Sequence, residues 1–259
     1  MYAFDIERPT SIADAASALT GDAQALGGGQ TLIPTLKARL AQPSKLVSLS
    51  GISEMQGISS AGGVLTIGGA TTHADVAAEG SYKALSELAA HIGDPAVRNR
   101  GTIGGSMANN DPAACYPAAA LGTGATIVTN TREIAADDFF QGMFDTALNE
   151  GEIVTAVKFP IPEKANYQKF VQPASRFALV GVFVSKTTSG VRVAVTGASN
   201  EGVHRWDAAE QALSANFSAS ALDGLSVPSD DLISDLHGSP EYRAHLVKVL
   251  TGRAVSAAS

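Results

Sequence analysis

Two glycine-rich stretches, Leu26-Gly27-Gly28-Gly29-Gln30-Thr31-Leu32 and Gly101-Thr102-Ile103-Gly104-Gly105-Ser106, hold the residues best suited by type and spacing to ligand chemistry. Each places consecutive glycines beside a small hydroxyl residue. Glycine lets the backbone approach a ligand closely and permits φ > 0, so successive N–H groups can turn toward one anion. Either stretch alone is also compatible with an ordinary turn. Two of similar chemistry point to a ligand with two phosphates held from both sides, and hence to a nucleotide cofactor. The first stretch is not a Walker loop, because no Gly-Lys-Ser/Thr follows. It also lacks the GxGxxG spacing and the later acidic residue of the usual dinucleotide fold.

Other reactive side chains are sparse. Arg98 and Arg100 precede the second stretch; either they are solvated near a turn, or at least one orders the loop or faces a partner surface. His73 follows Thr71 and Thr72 and reads either as a helix start or as a cleft residue. Cys115 sits in an alanine-rich segment with no base identifiable beside it, which fits a small buried residue better than a nucleophile. As the one cysteine of the chain, it can form no internal disulfide, and a cysteine-bound iron–sulfur cluster needs several thiolates. The five histidines show no HxxxH or HxH spacing, which argues against zinc. Redox chemistry here would fall to an organic cofactor.

These residues need elements to position them. A strand around Tyr2–Ile6 leads to a helix capped by Thr10 or Ser11, with Asp14 in its first turn. A strand near Ala23–Leu26 enters the first glycine stretch, after which Leu32, Ile33, Leu36 and Leu40 share one helical face. Lys45–Leu49 is a further strand. The following unit has a strand at Val64–Ile67, a helix start at Thr71-Thr72-His73-Ala74-Asp75, and an amphipathic helix over Tyr82–His91 that ends at Ile92-Gly93-Asp94-Pro95. Asn109-Asn110-Asp111-Pro112 reads as a turn, Ala125–Thr129 with Arg132–Ala135 as a hairpin, and Ile153–Phe159 as a strand stopping at Pro160-Ile161-Pro162. Beyond that boundary, Phe177–Ser185 and Val191–Ala198 form an antiparallel pair, with helices around Trp206–Leu213 and Pro240–Val255. Strands followed by helices imply α+β.

The chain has 259 residues, 45% hydrophobic and 17% charged, with a formal net charge of -7. That length supports two domains. The acidity, without a Lys/Arg cluster, argues against a nucleic-acid partner. No apolar run approaches the ~20 residues of a membrane span, and the start does not read as a signal peptide. A cytoplasmic location is expected.

At Gly27–Pro34, Arg98–Gly105 and Asn109–Ala114, the chain resembles the FAD-binding medium subunits of molybdenum hydroxylases of the carbon monoxide dehydrogenase or xanthine dehydrogenase type. The ending Ser234-Asp235-Leu236-His237-Gly238-Ser239-Pro240-Glu241-Tyr242-Arg243 is similar to that family's C-terminal domain, so the likeness spans the whole length in order. It implies a two-subdomain FAD-binding region of the PCMH-type flavoprotein class over residues 1–162, with subdomains near 1–55 and 56–162. A C-terminal α+β domain with antiparallel strands and helices follows over 163–259.

By matching position, the resemblance implies cofactor contacts along Leu26, Gly27, Gly28, Gly29, Gln30, Thr31, Leu32 and Ile33, and along Thr102, Ile103, Gly104, Gly105 and Ser106. The two loops would hold the pyrophosphate between them. Ile92 and Val154 match positions lining flavin or adenine, Lys169 matches a lysine near the flavin, and Phe177 a residue close to the isoalloxazine ring, with core packing the alternative for Phe177. Cys115 stands where several relatives carry an acidic contact. A thiol is a poor acceptor, so either the flavin is held less tightly there or another group substitutes.

The implied function is electron transfer. Electrons would pass from an iron–sulfur small subunit, in a complex with a molybdenum-cofactor large subunit, through FAD to an external acceptor such as a quinone, oxygen or a nicotinamide. Substrate choice would reside in the molybdenum subunit. Two other readings stand beside this one: a self-contained flavin oxidase or reductase, and a non-catalytic scaffold that has lost FAD.

Overall fold

The computed structural model describes residues 1–259 as three principal sheets with helices packed between and around them. The first sheet is parallel, with strands in the order Asp5–Glu7, Lys45–Ser48, Gln24–Leu26. Parallel neighbours require crossover connections, supplied by helices Ile12–Ala18 and Leu32–Lys37. Ser11 starts the first of these: its Oγ accepts from the Asp14 amide at 3.1 Å and donates to Asp14 Oδ2 at 2.7 Å. That satisfies a first-turn donor that has no acceptor within the helix. The second helix is shorter than its apolar spacing predicts. It ends at Lys37, Arg39 takes a left-handed φ of 60°, and Leu40 is left 80% exposed rather than sharing the face of Leu36.

The second sheet is antiparallel throughout, in the order Ile58–Ala61, Val64–Gly68, Val154–Pro160, Thr126–Thr129, Glu133–Ala135. Ile127 lies opposite Ile134 in the predicted hairpin. Thr72 caps helix His73–Ala78, and helix Lys83–Ala90 follows. Residues 94–98, read from sequence as the end of a helix and a turn, contain a short helix of their own. Asp94 Oδ1 accepts from the Val97 amide at 2.9 Å, and Pro95 takes the first position, where a missing N–H removes no bond. Helix Cys115–Thr123 is buried along its whole length.

The third sheet runs Lys164–Val171, Ala178–Thr187, Gly190–Ser199, Gly202–Arg205, all antiparallel. Its side chains divide between two cores. Val182, Val184, Val193 and Val195 pack with Leu246, Val247 and Leu250 of helix Pro240–Ala257. On the opposite face, Phe183 and Ala194 share a core with Ala118 and Ala119 of helix Cys115–Thr123. A sheet covered on both sides reads as a continuous apolar run rather than an alternation, as it does from Ala178 to Val184. Burying Phe183 alone contributes roughly 2–3 kcal/mol.

Ala165, Tyr167, Phe183 and Ala194 thus join Leu85, Tyr116 and Phe159 in one core. The sheets on either side of Pro160-Ile161-Pro162 are packed together rather than merely tethered. A parallel βαβ layer followed by antiparallel sheets with segregated helices makes the chain α+β. No helix is long and apolar enough to cross a membrane.

Candidate functional site

Strand Gln24–Leu26 is followed by five residues, 27–31, that turn into helix Leu32–Lys37. The first turn of a helix has amides with no intrahelical acceptor. Here the amides of Gly27, Gly28, Gly29, Gln30, Thr31 and Leu32 donate to no acceptor in the chain. Gly29 takes a φ of 72°, which turns the loop into the helix. The second glycine stretch lies directly against the first. A Cβ on Gly28 would overlap the Arg100 carbonyl oxygen, and one on Gly27 would come within 3.0 Å of Thr102 Oγ1.

The second stretch behaves differently, and this corrects the expectation that amides from both loops meet a diphosphate. The Ile103 amide donates to Thr71 O at 3.1 Å and the Gly104 amide to Gly69 O at 2.9 Å. Gly105 N donates to Thr102 Oγ1 at 3.2 Å, and Ser106 N to Thr102 O at 3.0 Å. Gly104 serves close packing, since a Cβ there would stand 2.6 Å from Gly69 O. What remains free is the Thr102 amide, the Thr102 hydroxyl proton and the Ser106 hydroxyl. The cradle is therefore asymmetric: the first loop offers amides, and the second offers mainly hydroxyls. Amides left free at a strand-to-helix junction suit an oxyanion, so the donor set fits a diphosphate.

Gly27, Gly28 and Thr102 also border a polar cleft of about 380 Å³, together with Ser50, Gln56, Gly57, Thr72, Asp75, Asn99 and Arg100. None of the other predicted cofactor residues lines it. Arg100 is exposed and pairs with no carboxylate. Arg98 orders the preceding turn: its Nη1 donates to Ile92 O at 2.9 Å and Gly93 O at 3.2 Å. His73 opens its helix, but its ring is buried against Tyr116 with centroids 5.3 Å apart. Burial, and secondarily the Arg98 charge, lower its pKa to about 4.

The remaining predicted residues fall into two groups. Lys169 Nζ donates to His91 O at 3.0 Å, which brings Lys169 to the turn that carries Ile92. Phe177 is 46% exposed at the start of strand Ala178–Thr187, so core packing does not explain it. Val154 and Cys115 are buried, both in the core that includes Ile103. Val154 lies behind the second loop through Gly69, whose Cβ would overlap the Val154 carbonyl oxygen. Cys115 opens the buried helix.

Sequence reasoning missed Gly69 and Asn110. The Gly68-Gly69 doublet after a strand was the available signal for the first. Asn110 was read as part of a turn; it is a buried left-handed helix cap, and its Nδ2 donates to Gly142 O at 2.7 Å and Asp145 O at 2.8 Å.

Residues 2–162 match the family described as the FAD binding domain in molybdopterin dehydrogenase. The chain is 34% identical to the carbon monoxide dehydrogenase medium chain of Afipia carboxidovorans, over 98% of this chain and 96% of that one. It is 35% identical to the nicotine 6-hydroxylase medium subunit of Paenarthrobacter nicotinovorans, over 95% and 94%. Its structure superposes on a chain of reconstituted CO dehydrogenase from Oligotropha carboxidovorans with a TM-score of 0.88 at 32% identity, covering 98% of this chain and 97% of that chain. A matched fold, a matched domain and a donor set suited to a diphosphate agree, and the chain belongs to the family of FAD-binding medium subunits of molybdenum hydroxylases, of the carbon monoxide dehydrogenase type.

Proposed function

We propose that this chain is the electron-exchange subunit of a heteromeric molybdenum hydroxylase. It would receive electrons from a partner's iron–sulfur clusters and deliver them through FAD to an external acceptor. The observation that carries this reading is the run of unbonded amides from Gly27 to Leu32, set against Thr102 and Arg100. FAD, when bound, supplies chemistry that links single-electron and electron-pair donors and acceptors.

The chain's own residues bind and orient. The Gly27–Leu32 amides neutralise the pyrophosphate, with the Thr102 and Ser106 hydroxyls opposite. Ile92, Lys169 and Phe177 flank the ring system, and the core on which Ile92 packs limits water on that side. No side chain need act as nucleophile or general base. With one cysteine in 259 residues, the clusters belong to a partner. The names of the relatives, medium chain and medium subunit, support a multi-subunit assembly with small iron–sulfur and large molybdenum chains.

The test is to purify the chain from its native host and record its visible spectrum, its metal content and its co-purifying chains. A yellow flavoprotein accompanied by a cysteine-rich chain and a molybdenum-bearing chain is the expected result. A colourless chain that takes up no FAD would overturn the reading. So would turnover of an alcohol or organic acid by the isolated chain.

A further inference from the structure

Arg243 is 1% exposed and the largest fully buried side chain in the molecule. A guanidinium is expensive to bury without partners, and this one binds across the end of the third sheet. Strands Ala178–Thr187 and Gly190–Ser199 pair as far as Gly181 opposite Thr196. Just beyond that pair, Arg243 Nη1 donates to both Leu179 O and Gly197 O at 2.7 Å. Its Nη2 donates to Asp235 Oδ1 at 2.8 Å. The Asp235 carboxylate is in turn fixed by the amides of His237 at 2.9 Å and Gly238 at 3.2 Å.

The strand end held in this way grips the segment before Cys115. Gly197 N donates to Pro112 O at 2.7 Å. Thr196 Oγ1, fully buried, lies 2.9 Å from Pro112 O and 2.8 Å from Ala114 O, so its one proton is shared between these two carbonyls. Ala114 is the cap of helix Cys115–Thr123. On the other strand, Leu179 lies two residues beyond Phe177. One buried cation therefore fixes both strand ends, one bonded to the approach to Cys115 and the other continuous with Phe177.

We propose that Arg243 is a positioning residue for the flavin, acting through Gly197 and Leu179 to set the spacing between the Pro112–Cys115 segment and Phe177. This rests on the proposed function, which sets Phe177 beside the flavin, and on the resemblance, which implies a cofactor contact at the position of Cys115. The role suits arginine because a planar fork can bind two carbonyls and a carboxylate at once, whereas lysine offers a compact point charge.

The test uses the full chain, stripped of flavin and titrated with FAD. Variants Arg243→Lys, Arg243→Gln and Asp235→Asn are compared with Val247→Ala, a buried core truncation on the next turn of the same helix whose side chain makes none of the clamp's hydrogen bonds. The dissociation constant for FAD, the visible circular dichroism of the bound flavin and the melting temperature are measured for each. The clamp variants should bind FAD about tenfold more weakly and alter the flavin dichroism, while Val247→Ala at a similar melting temperature does neither. Should Arg243→Gln fail to fold, Arg243→Lys and Asp235→Asn report the same quantities. Wild-type affinity and dichroism in the clamp variants, or equal losses in Val247→Ala, would overturn the proposal alone. A wild-type chain that takes up no FAD would overturn the flavin reading and the clamp together.

Discussion

Gly28 and Arg100 share a space that admits no methyl group. A Cβ on Gly28 would overlap the Arg100 carbonyl oxygen and lie 2.5 Å from Gly101 Cα. This contact seats the first loop, with its unbonded amides, on the second. The second loop is in turn fastened to Gly69 and Thr71 by the amides of Gly104 and Ile103. The cradle is thus a stack of main chains.

Gly28→Ala should separate the loops. Overpacking main chain against main chain costs roughly 1–3 kcal/mol, and the purified protein should carry much less FAD than wild type. Gly27→Ala meets only Thr102 Oγ1, at 3.0 Å, and Gly105 Cα at 3.8 Å, so its effect should be clearly smaller. Flavin absorbance per chain, with melting temperatures, checks the order. Equal flavin content in the two variants would contradict it.

Lys169 separates fold from cofactor. Its bond to His91 O is one of several holding that turn, since Arg98 binds the next two carbonyls. Lys169→Met should therefore cost only about 1 kcal/mol of stability. A cation beside a flavin favours the charge gained on reduction, so the same variant should lower the flavin midpoint potential, and Lys169→Arg should restore it. A redox titration showing no change in Lys169→Met would place the ammonium away from the ring.

What could be read from the residues depended on contrast between polar and apolar positions. Ser11 and Thr72 announce their helices because a capping side chain works locally. The Thr126–Thr129 and Glu133–Ala135 hairpin was legible because a turn interrupts two alternating runs. Helix Cys115–Thr123 was not, because a helix buried on every side has no polar face and therefore no period. Strand Lys164–Val171 was also missed; its mixed polar and apolar residues give no long apolar run. The glycine stretches drew attention to two loops that lie against each other, but glycine has two uses. Only coordinates distinguish Gly29, which turns a loop beside free amides, from Gly104, which lets two backbones touch.

Glu152 anchors the entry to strand Val154–Pro160. Its carboxylate accepts from Arg132 Nε at 3.0 Å, Thr129 Oγ1 at 2.6 Å, Thr131 Oγ1 at 2.7 Å and the Asn149 amide at 2.8 Å. Chiefly through Arg132, these hold its pKa far below the ordinary 4.5. A depressed carboxylate contributes stability that is fully present above its unfolded pKa and is lost as pH falls toward the folded one. Glu152→Gln should therefore cost about 2 kcal/mol near pH 7, with the gap shrinking only below about pH 4.5. Urea denaturation of both proteins across that range tests the sign.

His73 should make the fold acid-sensitive in a different window. Burial first, and the Arg98 charge second, lower its pKa from 6.5 to about 4, so the unfolded chain takes up a proton before the folded one does. The stability contributed by the neutral ring is complete above pH 6.5 and declines between 6.5 and 4, at up to about 1.4 kcal/mol per pH unit. His73→Gln loses the packing on Tyr116 and should be the less stable protein near neutrality, but it cannot titrate. The two stability curves should converge as pH falls from about 7.5 to about 4.5. Comparing the pair also cancels His204, whose pKa is likewise lowered by burial. A gap that stays constant across the window would mean that His73 titrates alike in the folded and unfolded chains, its ring gaining a proton as the pH falls through about 6.5. The cation would then sit beside Gly101, directly under the second loop.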